Sequence, residues 1–247
     1  MLREKLLFWF SFTYSDTAFQ DRMIWLLHSL PKSKRGRLID YGCGKGDAVN
    51  LATSRGWKAL GLSFDSEMLE YAKRLSKKVG QKGSNFLLVD LRDLDEILKK
   101  GHTCDVALCL EVIEHIKDDQ LLINKICSRL HEGGLLYLST PNKFYRPLVG
   151  DSISDSEDGG HVRWGYTFSE LNKICYKAGL RIIEKGQFTG VVSQMLINFQ
   201  RICTKFFGNR WAFVINYPFR VLLPLDRLFS YIIGYKFLSL YIIAVKK

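Results

Sequence analysis

Immediately after the apolar run Cys104–Leu110 the chain reads Glu111-Val112-Ile113-Glu114-His115, two carboxylates and an imidazole within five residues. On a helical turn, positions 111, 114 and 115 share one face, so their side chains would converge. Three readings follow. Carboxylates with waters hold Mg2+, and an added imidazole suits a somewhat softer divalent ion; His161, from a later loop, would supply a fourth ligand beside Glu111, Glu114 and His115. Without a metal, His115 is a general base for an acceptor hydroxyl, with Glu111 and His161 beside it. In the third reading the group is structural, a polar turn that caps a helix.

A second constellation lies upstream, in Arg37-Leu38-Ile39-Asp40-Tyr41-Gly42-Cys43-Gly44-Lys45-Gly46-Asp47. A short apolar run ends in an acid and meets three glycines spaced G-x-G-x-G, the way a buried parallel strand delivers a cofactor onto a helix start. Glycines there allow positive φ and close approach to a ligand. Asp47 follows the third glycine, and its charge would repel the pyrophosphate of a dinucleotide.

Leu38–Gly46 resembles the cofactor loop of class I S-adenosylmethionine (SAM)-dependent methyltransferases. The phrase from Leu110 to Asn142, EVIEHI then HEGGLLYLSTPN, resembles the ubiquinone-pathway O-methyltransferases. The pattern E-x-x-E-H is also similar to that of small-RNA terminal 2′-O-methyltransferases, where a later histidine joins the site. The resemblance implies SAM held by Gly42, Gly44 and Gly46, with Asp40 supporting the loop and Cys43 and Leu110 alongside. It implies that Asp90 accepts the adenine amino hydrogens while Leu91 packs on the ring. Where the family commonly carries a ribose-binding acid, this chain reads Gly61-Leu62-Ser63-Phe64-Asp65, so the ribose falls to Ser63 or Asp65 with Phe64 between them; Asp65 also reads as a helix N-cap. The implied activity is O-methylation of a small hydroxylated or lipid-linked acceptor. RNA 2′-O-methylation and a SAM-binding scaffold without turnover are the alternatives.

The positioning elements follow from pattern. Strands are expected at 38–41, 57–63, 85–89, 104–110, 135–140, 180–184 and 240–245, with helices between them, as at Ser66–Val79, whose apolar residues recur at helical spacing. Alternating strands and helices call for an α/β, Rossmann-like, mostly parallel sheet with right-handed crossovers and helices on both faces. The resemblance adds an antiparallel last strand, for seven in all. Asp16 or Thr17 would cap a helix running to about Leu30, either packed on the sheet edge or forming a lid over the cofactor.

Domain organisation follows: an N-terminal helical segment (1–35), a methyltransferase core (36–186), a helical insertion (187–238) and a last core strand (239–247). Six cysteines without a CxxC pair read as reduced thiols of a cytoplasmic protein rather than a disulfide or zinc framework. The net charge of +11 is concentrated late: residues 187–247 hold eight cations and one acid. In the insertion, aromatic residues interleave with those cations, and Pro218 and Pro224 are expected to divide it into short helices. It reads as a cap over the acceptor pocket, as a peripheral membrane contact, or, third, as a nucleic-acid surface.

Overall fold

The structure, a computed structural model, describes residues 16–33, 36–81, 84–94, 102–145, 153–157 and 159–247. The first fifteen residues of the expected N-terminal segment, and residues 146–152 and 158 ahead of His161, lie outside the described residues. Helix α1 (Thr17–Ser29) is followed by β1 (Arg37–Tyr41), α2 (Asp47–Ser54), β2 (Lys58–Ser63), α3 (Ser66–Lys78), β3 (Asn85–Leu88) and β4 (Cys104–Leu110). Then come α4 (Asp119–Arg129), β5 (Leu130–Pro141), α5 (Phe168–Lys177), β6 (Leu180–Phe188), α6 (Val191–Asn216), α7 (Asp226–Ile232) and β7 (Ser239–Lys246). The strand order is β3-β2-β1-β4-β5-β7-β6. β1 to β5 run parallel, and β7 lies antiparallel between β5 and β6.

β1 sits inside the sheet, between β2 and β4, because its side chains are apolar on both faces. Leu38 packs into one core layer and Ile39 into the other, and the same alternation separates Leu108 from Ala107 on β4. The parallel strands therefore end together along one edge, with the turns that follow β1 and β4 side by side. Helix starts are fixed locally. Asp16 caps α1 by accepting from Phe19 N–H at 2.8 Å, and Asp118 caps α4. Thr167 and Glu170 form a capping box on α5.

Gly42 is required by its neighbour. Its φ is +81°, and a Cβ would stand 2.4 Å from Val112 Cγ2, the residue behind Glu111. Gly42→Ala is expected to cost about 2–4 kcal/mol through left-handed strain and overpacking, measurable as a lower urea midpoint.

The insertion departs from expectation in two ways. β6 runs on to Phe188, so the insertion begins at Thr189 rather than 187. Its helical run, α6, is two pieces, 191–207 and 209–216, separated at the non-helical Gly208 (φ 74°, ψ 165°). The prolines instead mark a 3-10 stretch, Tyr217–Leu225, that leads into α7. The start of α6 carries no side-chain cap of its own; Asp226 from α7 supplies one, accepting from Gly190 N at 2.7 Å and Val192 N at 2.7 Å. Asp226→Ala strands these buried donors. The expected loss is about 2–4 kcal/mol, and chemical denaturation monitored by far-UV circular dichroism measures it.

Candidate active site

The glycine turn after β1 opens onto a cavity of about 390 Å³ lined by Asp40, Gly42, Cys43, Gly44, Leu110 and the α1 residues Phe19, Arg22 and Met23, among others. The three glycines differ in role. Gly46 packs down, since a Cβ there would meet Ala72 and Phe86 below 3 Å, whereas a Cβ on Gly44 (φ +50°) would meet nothing within 4 Å. Gly44 is thus the part of the loop that a ligand can lie against. Gly46 starts α2 in a left-handed conformation without a side-chain cap, so the first N–H groups of the helix lack a side-chain acceptor at their cap.

Asp40 is buried beneath this turn, and burial pushes its carboxyl up to about 7, with the Arg22 charge opposing and Asp47 adding to the rise. Arg22 also meets Glu111, Nη1 to Oε1 at 3.6 Å. α1 therefore walls the cavity and brings a cation to the buried Asp40 and the half-buried Glu111. Sequence reasoning did not single out Arg22, because nothing in the local pattern around an arginine on a surface helix says which acids the fold sets opposite it.

At the end of β4 the expected helical face does not form. Glu111 takes a left-handed conformation, φ 55°, held by its N–H donating to Ser139 O at 2.9 Å, and Ile113–His115 is a 3-10 turn. A non-glycine residue in that region stores about 1–2 kcal/mol of strain. The turn divides the cluster: Glu111 pairs with Arg22, while Glu114, His115 and His161 bring one ligand atom each within 4.8 Å of one another.

Each member of that trio is oriented. Thr140 Oγ1 donates to Glu114 Oε2 at 3.0 Å, leaving Oε1 buried with no hydrogen-bond partner and 3.9 Å from His115 Nε2. His115 Nδ1 lies 3.0 Å from Gly160 O. A carbonyl only accepts, so Nδ1 carries a proton, and Nε2 is turned toward Glu114. His161 meets His115 edge-on, ring centroids 4.6 Å apart. Val162 N donates to Glu114 O at 3.0 Å, and the Arg163 guanidinium donates to Ile116 O at 2.9 Å and Lys117 O at 2.7 Å, tying the 161–163 segment onto the 3-10 turn. Burial raises the Glu111 carboxyl, and it raises Glu114 well above the ordinary range with the Glu111 charge adding to the rise.

Ser63, Phe64, Asp65, Asp90 and Leu91 lie at the ends of β2 and β3, beyond the cavity lining. Ser63 Oγ accepts from Asp65 N at 3.1 Å, and Asp65 caps α3 through Met68 N at 3.0 Å. Asp90 is engaged by the Arg92 guanidinium, whose hydrogen bonds hold its carboxyl below the usual range. Leu91 is buried and Phe64 exposed. All six cysteines are free thiols and buried, and burial pushes the Cys43 thiol up.

The strand order, with a glycine turn after β1, defines the class I SAM-dependent methyltransferase architecture. The chain belongs to the methyltransferase-domain family, which matches residues 18–185. Among curated relatives, a small RNA 2′-O-methyltransferase of Arabidopsis thaliana is 25% identical over 192 residues, 70% of this chain and 20% of that protein. A ubiquinone biosynthesis O-methyltransferase of Methylobacterium nodulans is 27% identical over 184 residues, 71% of this chain and 66% of that protein. The chain thus spans a fifth to two thirds of the length of these relatives. Haemonchus contortus phosphoethanolamine N-methyltransferase 2, solved with SAM, superposes with a TM-score of 0.62 at 18% identity over 91% of this chain and 51% of that one. The [4+2]-cyclase SpnF superposes at 0.61 with 18% identity over 93% of this chain and 82% of that one. At such identities the likeness establishes the fold, and one fold here carries different chemistries.

Proposed function

We propose that this chain transfers the methyl group of SAM to a hydroxyl on a small or lipid-linked acceptor. The observation that carries the reading is the buried, unpartnered Oε1 of Glu114 facing the Nε2 of His115 beside the cofactor cavity. SAM, when bound, supplies an electrophilic methyl on a sulfonium. The open face of Gly44 and the cavity walls would hold it, with Arg22 placed to meet its carboxylate and Asp40 its positive charge. Burial in the cavity excludes water and fixes the donor, which is most of what an in-line displacement needs.

The acceptor must also lose a proton. His115, with Nδ1 tied to Gly160 and Nε2 turned toward Glu114, is oriented to take it. Glu114, His115 and His161, one carboxylate and two imidazoles, have the chemistry to hold a divalent ion softer than Mg2+, and the orphaned Glu114 oxygen fits that role; such an ion, when bound, lowers a hydroxyl's pKa. A second crevice of about 390 Å³, between Asn142, Phe144 and Phe168 of the core and Tyr231, Tyr235 and Phe237 beyond α6, suits an aromatic or prenylated acceptor.

S-adenosylhomocysteine formation measured with catechol and prenylated-phenol acceptors, with and without a chelator, is the test. Acceptor-dependent product supports the reading, and loss of that product on chelation supports the metal. SAM binding without product under every condition identifies a scaffold instead.

A further inference from the structure

We propose that the outward face of residues 191–233 is a docking surface for an anionic lipid bilayer, with α6 and the 3-10 stretch lying in the plane of the interface. The first observation is how little of this region's apolar surface is buried. The inward face is mixed, Val191, Leu196, Ile197, Cys203 and Ala212 with Ser193, Gln194, Asn216, Asp226 and Ser230, while none of Tyr217–Leu225 is buried. Large apolar groups point outward instead: Phe206 is 76% exposed, Val221 76%, Ile232 69% and Trp211 61%. A water-facing surface so composed is unusual unless something covers it.

Charge selects the occupant. Arg201, Lys205, Arg210 and Arg227 are exposed on the same elements, whereas Asp226, the one acid between 187 and 247, is buried at the start of α6. A second copy of the chain would set these cations against each other. A nucleic acid would gain little from Val221, Leu222, Ile232 and Ile233, which offer no ring on which a base can stack. Apolar groups that enter the acyl boundary and cations that meet lipid phosphates account for both halves of the pattern. No helix among the described residues is long and apolar enough to cross a membrane, and the cations along α6 favour lying flat.

Co-sedimentation of the full chain with vesicles of about 30% phosphatidylglycerol in phosphatidylcholine, against phosphatidylcholine alone, tests the proposal. Binding is expected to be at least ~10-fold stronger to the anionic vesicles and to weaken as salt rises from about 0.05 to 0.5 M. Brominated lipid should quench a component of the fluorescence that Trp211→Phe removes. The combined variant Phe206→Ser, Val221→Ser, Ile232→Ser should bind vesicles roughly 100-fold less, with SAM titration and far-UV circular dichroism unchanged. Absent binding, binding indifferent to lipid charge, or binding untouched by the serine variant would overturn the proposal. So would a dimer in sedimentation equilibrium that the serine variant dissolves. These readouts need no turnover, so this proposal and the methyl-transfer reading stand or fall separately.

Discussion

Glu114→Gln is expected to lower kcat/KM by ~10²–10³-fold while raising thermal stability. Glutamine keeps the volume and the bond to Thr140 but cannot ionise. Losing a carboxyl that can give up its proton beside His115 withdraws a ligand or the partner of the base, each a step worth orders of magnitude in rate. The stability effect has the opposite sign, because burial and the Glu111 charge disfavour an ionised Glu114. Neutralising it removes that penalty. Steady-state kinetics and a thermal melt on one preparation check both; a variant that is more stable and fully active would exclude Glu114 from the chemistry. If a metal is held there, the variant should also lose its sensitivity to chelators.

The second large effect belongs to Asp40. Its carboxyl is raised from 3.8 to about 7, chiefly by burial. The folded state therefore holds the proton more tightly than the unfolded one. That contribution to stability is complete below about pH 4 and is lost as pH rises through about 7. Asp40→Asn should consequently be more stable than the parent above pH 7 in the absence of ligand, by up to about 4 kcal/mol, and its stability should be flatter between pH 4 and 7. Cofactor binding should respond in the other direction. SAM carries net positive charge and favours the carboxylate, so its affinity should rise with pH from about 5 to 8, by at most ~10-fold per unit. The asparagine variant should lack that slope. Titration calorimetry across the range measures it.

What the sequence disclosed and what it concealed divide along physical lines. The glycine turn, the strands on either side of it and the cluster after β4 were legible because each is set by contiguous residues: an apolar run, a turn that needs glycine, a capped helix. Glu111, Glu114 and His115 were also found. Their arrangement was not, since the helical reading assumed ordinary dihedrals, and a left-handed glutamate pinned to Ser139 O redirects its side chain toward α1. Arg22 acquires its role only when α1 folds over the turn, nearly ninety residues before the acid it pairs with. In the insertion the prolines do end the helical run, before Pro218, but the earlier division of α6 at Gly208 was not foreseen, because a glycine inside a helical pattern does not announce a non-helical φ/ψ.

Gly44 gives the account its sharpest handle, because alanine fits there sterically in the ligand-free fold yet intrudes where the cofactor would lie. The decisive measurement is a calorimetric titration of SAM into the wild-type protein and into Gly44→Ala, with a melt of each. The expected result is one SAM bound per wild-type chain and at least ~100-fold weaker binding to the variant, whose own stability falls by only about 1–2 kcal/mol. Equal affinity in the two proteins, or no heat from either, would contradict a methyl donor lying across that turn.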